Sequence, residues 1–189
     1  KAQYFVDKSG NVGFYRARSH DLCPTERCHI QNERADACAH ALKDWLVESK
    51  IKPYDEQTGQ GLIRGLLVRT GQRGTHATVI SNSNSLPEEQ LLINKMRKAC
   101  PELCGLTLNT NSVRSNVILG EKNSTIWGSQ VLRDELCGLE FDISPNSFYQ
   151  VNRSQAEKLY WKAVEYAHPE GKTLLDLYCG IGTISLLMA

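Results

Sequence analysis

Hydrophobic residues in the first part of the chain fall in two short runs, Tyr4-Phe5-Val6 and Val12-Gly13-Phe14-Tyr15, parted by the turn-forming tetrad Asp7-Lys8-Ser9-Gly10. Runs divided in this way predict a β-hairpin. From residue 32 to residue 50 the period changes. Ala35, Cys38, Ala39, Leu42 and Leu46 recur at helical spacing, Asn32 can cap the helix, and Glu33 and Asp36 suit the positive end of its dipole. The stripe puts Cys38 in the core and leaves His40 on the surface. Strand-like runs return at 62–68 and 77–80, joined by Gly71-Gln72-Arg73-Gly74. Ser85 and Glu88 have capping-box spacing and Pro87 suits a first turn, so a helix is expected from Ser85 to Lys98.

Between Gly105 and Ile143 short β-rich runs follow one another closely, at 106–108, 117–119, 125–127, 131–132 and 139–143. Connections this short allow only antiparallel neighbours. The pattern changes again after Pro145. A helix is expected from Arg153 to His168, with Asn152 or Ser154 as cap, and then Thr173-Leu174-Leu175-Asp176-Leu177-Tyr178 forms a continuous apolar run. Such a run reads as a strand buried on both faces of a parallel sheet. The expected fold class is therefore α/β. An α+β domain with a mostly antiparallel sheet occupies 1–142, and 143–189 is the opening, incomplete portion of a doubly wound, Rossmann-like domain. The apolar segment 173–189 needs cover, which the helix at 31–50, a second copy of the chain, or both would supply; self-association through this segment is one consequence.

Composition narrows the classes. Hydrophobic residues make up 41% and charged residues 23% of the 189, which excludes a disordered chain. A net charge of +1 neither demands nor excludes a nucleic-acid partner, so any RNA contact has to come from a local patch. Arg16 and Arg18, just after the first hairpin, are candidates, although a solvated strand end reads equally from the same residues. Seven cysteines, an odd number, with no signal-peptide pattern point to a reduced, cytoplasmic setting. No apolar run approaches the length of a membrane span. Cys100 and Cys104 lack the spacing and the second half-site of a zinc centre, so no metal is expected there.

The chemically informative stretch is Asp176-Leu177-Tyr178-Cys179-Gly180-Ile181-Gly182-Thr183, a strand end leading through a glycine loop into a helix. That is where α/β sheets bind nucleotide-like ligands. The sixth position of a dinucleotide fingerprint is Ser185 rather than glycine, and the lysine of a P-loop is absent. An acid four residues before the first glycine resembles motif I of the class I S-adenosylmethionine (SAM)-dependent methyltransferases. Other nucleotide enzymes, and a tight βα turn with no ligand, remain open from this motif alone.

A second segment just upstream, Phe141-Asp142-Ile143-Ser144-Pro145-Asn146-Ser147-Phe148-Tyr149-Gln150-Val151-Asn152, combines with motif I into a pattern that resembles the RNA (uracil-5-)-methyltransferases of 23S rRNA and tRNA. The stretch Gly13 to Asp21 and Cys28 resemble that family's central domain. The resemblance implies SAM as cofactor, contacted by Gln150, Tyr178, Thr183 and the backbone at Gly180 and Gly182; Thr183 replaces an asparagine of the family pattern. It implies Phe148 beside the unstacked target base, and RNA, rRNA before tRNA, as partner. The family's reaction adds a cysteine thiolate to uracil C6 and removes the C5 proton with a carboxylate. Both groups are expected outside these residues, so no catalytic residue is assigned and the chain alone is expected to be inactive. Cys28 matches one iron–sulfur ligand position found in many relatives, but its three partners have no counterpart here. The alternative from another class is a non-enzymatic RNA-binding or scaffold module.

Overall fold

The computed structural model describes residues 1–189. Strand β1 (Ala2–Val6) and β2 (Val12–Tyr15) form the expected hairpin, with Phe5 opposite Gly13, and β3 (Leu22–Pro24) adds to β2. Asp7 builds the turn: its Oδ1 accepts from the backbone of Ser9 at 2.8 Å and of Asn11 at 2.9 Å. Helix α1 (Glu33–Glu48) begins after Asn32, whose side-chain oxygen accepts from the Arg34 amide. β4 (Ile63–Thr70) and β5 (Thr75–Ser81) form a second hairpin. Helix α2 (Glu89–Ala99) then carries the chain over to β6 (Leu103–Thr110), which runs parallel to β5, and β7 (Lys122–Gly128) returns antiparallel. The resulting seven-stranded sheet has the order β3-β2-β1-β4-β5-β6-β7. β8 (Leu132–Leu136) and β9 (Leu139–Ile143) make a separate hairpin, followed by α3 (Arg153–Ala167) and the short α4 (Thr183–Met188).

The main core lies between one face of the sheet and the pair α1 and α2. Cys38, Leu42 and Trp45 of α1 meet Leu66 and Val68 of β4 and Leu92 and Met96 of α2, all fully buried. Complete burial of each large aliphatic side chain stabilises by roughly 1.5–3 kcal/mol, so this layer supplies most of the drive to fold. A smaller core joins Leu132, Leu136, Phe141 and Ile143 of the β8–β9 hairpin to Ala156 and Tyr160 of α3, with Ile181, Ile184 and Leu187 packed at its margin.

Four expectations are corrected. Helix α2 starts at Glu89 rather than Ser85 and has no capping box. Glu88 instead takes a left-handed conformation, and its carbonyl accepts the Trp45 indole N–H at 3.1 Å, so a tertiary bond sets the start. Residues 117–119 form no strand; they lie in the 111–121 loop, whose carbonyls at Val117 and Ile118 are held by the Asn111 side chain. Residues 173–178 form no strand either, and Leu175 and Leu177 are exposed, because no strand lies beside them to complete a parallel ladder. Finally, α1 does not cover 173–189. Its stripe is used up against the sheet and α2, and the only cover comes from α3 and the β8–β9 hairpin on Ile181, Ile184 and Leu187.

The second face of the sheet is polar. Strand alternation turns Arg69, His76, Thr78, Thr107 and Asn109 away from the main core, yet all are buried. Irregular backbone covers them and uses their hydrogen bonds. Asn109 holds Gly120 by both its backbone groups, and Asn123 donates to Asn146 at 2.8 Å. The Arg69 guanidinium, 4% exposed, donates to the carbonyls of Pro145, at 3.1 Å, and Ser147. Breaking this link should free 144–150: in Arg69→Met, amide hydrogen exchange should rise across that segment while α1 keeps wild-type protection.

His76 makes a second prediction. Burial, with a smaller push from the Arg69 charge, lowers its pKa to about 4, against the opposing effect of the bond to the Ser129 carbonyl. A depressed histidine leaves stability unchanged above the unfolded pKa. Stability then falls as the unfolded chain takes up the proton, from pH 6.5 down to about 4, by about 3 kcal/mol in all. The loss of urea resistance between pH 7 and pH 4.5 should be clearly smaller in His76→Gln; an identical loss in both proteins refutes the assignment.

Candidate functional site

The segment from Ser144 to Asn152 links the sheet to α3. A turn at its start is closed by the Ser147 amide on the Ser144 carbonyl and by a 2.8 Å contact between the two hydroxyls. Arg69 fixes the same turn from the sheet. Beyond it the side chains alternate. Phe148 points outward and is 74% exposed, whereas Tyr149 turns inward with its ring 6.3 Å from that of Phe141. Its hydroxyl donates to Asp134 Oδ2 at 3.4 Å, and burial, then the Asp134 charge, pushes the phenol well up.

Gln150 follows, half-buried, and lines a cavity of about 240 Å³. Arg34, Arg69, Arg153 and Lys1 also line it, against a single carboxylate, Asp134. Asp134 is 4% exposed and is held by the Gln72 amide at 2.9 Å and by Tyr149, with Arg153 3.9 Å away. Two polar atoms at this cavity, Arg69 Nε and Arg153 Nη1, are buried without a hydrogen-bond partner. The local field is therefore positive although the whole chain carries only +1. The sequence reading missed Arg69, Asp134 and Arg153. A signal was present for Arg69, since a lone charge ending the apolar run Leu66-Leu67-Val68 has to find acceptors in the interior.

The glycine loop forms a second group of candidates on the far part of α3. Asp176 closes it, accepting from the Tyr178 amide at 3.1 Å and from the Ser185 hydroxyl at 2.6 Å. Gly180 and Gly182 have φ of +57° and +80°, the left-handed region that favours glycine. Nothing lies within 4 Å of where a Cβ on Gly180 would stand, so the loop leaves open space on that side. The Thr183 hydroxyl donates to Tyr160 at 3.4 Å, and Tyr178 is 96% exposed with its ring free. The loop thus fits a cofactor with polar and aromatic parts: it has a glycine cradle, an unengaged ring and a hydroxyl at the helix start. None of its residues lines the cavity that Gln150 faces, so the structure does not bring Gln150 and the loop into one pocket.

The remaining candidates stand apart. Arg16 and Arg18 are exposed on the turn between β2 and β3, and Arg18 is left-handed at φ 59°. The half-buried Cys28 gives its amide to Asp36 Oδ2 at 3.1 Å, and no three His, Cys, Asp or Glu side chains gather to hold a metal. The residues of this chain do not fit an iron–sulfur cluster. No helix is long and apolar enough to cross a membrane.

No protein-family model matches the chain. An uncharacterized RNA methyltransferase of Staphylococcus epidermidis is 43% identical over 196 residues, spanning 100% of this chain and 43% of that protein. A counterpart from Caldanaerobacter subterraneus subsp. tengcongensis is 39% identical over 197 residues, again covering 100% of this chain and 43% of its own length. Among solved structures, Pyrococcus abyssi tRNA (uracil-54, C5)-methyltransferase in complex with S-adenosyl-L-homocysteine matches with a TM-score of 0.83 at 24% identity, over 100% of this chain and 44% of that one. That likeness establishes the fold. The chain spans less than half the length of the curated relatives it matches. Along its whole length the chain is similar to part of proteins named as RNA methyltransferases, and its α/β fold is shared with part of the Pyrococcus abyssi enzyme.

Proposed function

We propose that the chain is the central domain (1–142) and the first portion of the catalytic domain (143–189) of a cytoplasmic RNA methyltransferase. The enzyme would move a methyl group from SAM to C5 of a uridine, in rRNA or tRNA. One observation carries this reading: an exposed aromatic, Phe148, stands two residues from Gln150 at a basic cavity, on a turn that a buried arginine fixes. The solved neighbour's uracil-C5 chemistry and its bound S-adenosyl-L-homocysteine agree with it.

Each residue then has a task. Phe148 offers its face to a uracil lifted from its stack, and stacking of this kind is worth ~1–3 kcal/mol per base. Tyr178, Thr183 and the backbone at Gly180 and Gly182 would cradle SAM, which supplies the electrophilic methyl group when bound, and Gln150, which lines a separate cavity here, would join them only with the two parts drawn together. Arg16 and Arg18 would contact phosphates. The thiolate for C6 and the base for the C5 proton are assigned to none of these residues, and Cys179, whose thiol meets only its neighbour's carbonyl inside the glycine loop, is a loop residue. Exposed Leu175, Leu177 and Tyr178 would also let the isolated chain self-associate.

Two outcomes follow. Incubated with methyl-labelled SAM and bulk tRNA or rRNA, the 189-residue chain should transfer no label; robust labelling at uridine C5 overturns the division of labour. In a full-length protein carrying this segment, Gln150→Ala should raise the SAM dissociation constant several-fold. An unchanged constant removes Gln150 from the cofactor site.

A further inference from the structure

On the polar face of the sheet, at the Gly65 end of β4, three aromatic rings form a column. Phe5 and Tyr15 stack with centroids 3.9 Å apart at 16°, and His20 continues the stack at 5.0 Å and 24°. The column lines a cavity of about 130 Å³ together with Gly65 and Ile80 of the sheet and residues 115–118 of the 111–121 loop. A water claims about 30 Å³ of the liquid, so this space suits one flat heterocycle rather than a whole nucleotide. At the mouth, Glu56 accepts from the Tyr15 hydroxyl at 3.3 Å and lies 2.5 Å from His20 Nδ1. An ionised carboxylate has about four acceptor sites, so two remain open. Arg64 also lines the cavity; its hydrogen bonds run through Nη1 alone, to the carbonyls of Asn111 and Val113 at 2.8 Å each. Its other donors are free.

We propose that this cavity holds one unstacked guanine base of single-stranded RNA. The inference rests on the RNA-methyltransferase reading and adds a base pocket, to which that reading gives no role, beside the phosphate contacts at Arg16 and Arg18. Tyr15 is sandwiched between Phe5 and His20, so the stacking face is the outer face of the terminal His20 ring, as histidine side chains provide for splayed RNA bases. Glu56 supplies the choice of base. Guanine offers one carboxylate two adjacent donors, N1–H and the exocyclic amine, whereas adenine, cytosine and uracil set an acceptor beside each donor. Burial, then the Glu56 charge, lifts the Tyr15 phenol to about 12, so it remains a donor that holds Glu56 in place. Arg16 and Arg18, exposed just before His20, suit the flanking phosphates.

The test is fluorescence anisotropy of the labelled RNA heptamers UUUGUUU, UUUAUUU and UUUUUUU with the full chain, at one fixed salt concentration. UUUGUUU should bind about tenfold more tightly than the uridine heptamer, with UUUAUUU close to the latter. Glu56→Gln and His20→Ala should each remove most of that preference while leaving the uridine heptamer's affinity and the thermal melt unchanged. Equal binding of all three heptamers overturns the base pocket and leaves the RNA reading standing. A preference that survives both substitutions overturns the assignment to this cavity. Failure to bind any heptamer overturns the pocket, while a SAM-dependent methylation assay on the full-length protein judges the wider reading separately.

Discussion

Arg69 carries a charge into the interior with no carboxylate to meet it, and the geometry of the candidate site depends on how that charge is accommodated. An isolated buried cation is expensive, and the expense falls only when donors find acceptors. The acceptors are the backbone carbonyls of Pro145 and Ser147. Those carbonyls belong to an irregular segment with no ladder to join, so they need donors as much as Arg69 needs acceptors. The match locks a turn that would otherwise be free to move. Because the turn is locked, the next three side chains have fixed destinations: Phe148 into solvent, Tyr149 onto Phe141 and Asp134, and Gln150 into the basic cavity.

Asp134 answers the same field from the other side. It accepts from the Gln72 backbone and from Tyr149 and stands near Arg153, so the β4–β5 turn, the motif segment and α3 share one buried carboxylate. With three arginines and Lys1 around the cavity, a single carboxylate leaves the site positive, which favours anionic ligands. A net charge of +1 averaged over 189 residues conceals this arrangement entirely.

Elements whose stability is local could be read from the residues. The first hairpin, α1 with its Asn32 cap, and α3 with its Asn152 cap follow from period and turn chemistry, and the structure has them at nearly the expected bounds. Features that depend on distant partners could not. The start of α2 is set by Trp45, more than forty residues away, which no capping pattern encodes. Leu174, Leu175 and Leu177 read as a buried strand because composition reports a preference for burial, not the presence of a neighbour. Asp36 sits in the first turn of α1, where it suits the helix dipole, but its burial and its bonds from the Tyr4 hydroxyl at 2.7 Å and the Cys28 amide could not be read from the sequence. The candidate site was legible only as separate motifs. Phe148, Gln150 and the glycine loop could be singled out as candidates one by one, but the cavity around Gln150 is made by Arg34, Arg69, Asp134 and Arg153, which come from four different elements.

Strand β4 connects the two ligand sites argued for this face. Gly65 lines the aromatic cavity and Arg69 is at the edge of the Gln150 cavity, both on the polar side of the sheet. Four residues of extended chain separate them by about 13 Å. A strand holds that spacing rigidly, since Gly65 to Val68 pair with β1 on one side and Gly65 to Thr70 with β5 on the other. Two sites at a fixed separation on one rigid element can engage one RNA strand at once, and the second contact is then made at high effective concentration. A weak base contact in the aromatic cavity would therefore help choose which nucleotide, a few positions along the strand, is presented to Phe148. If both proposed sites are used, the sheet would act as a ruler, and sequence preference would enter through a base that is not itself modified.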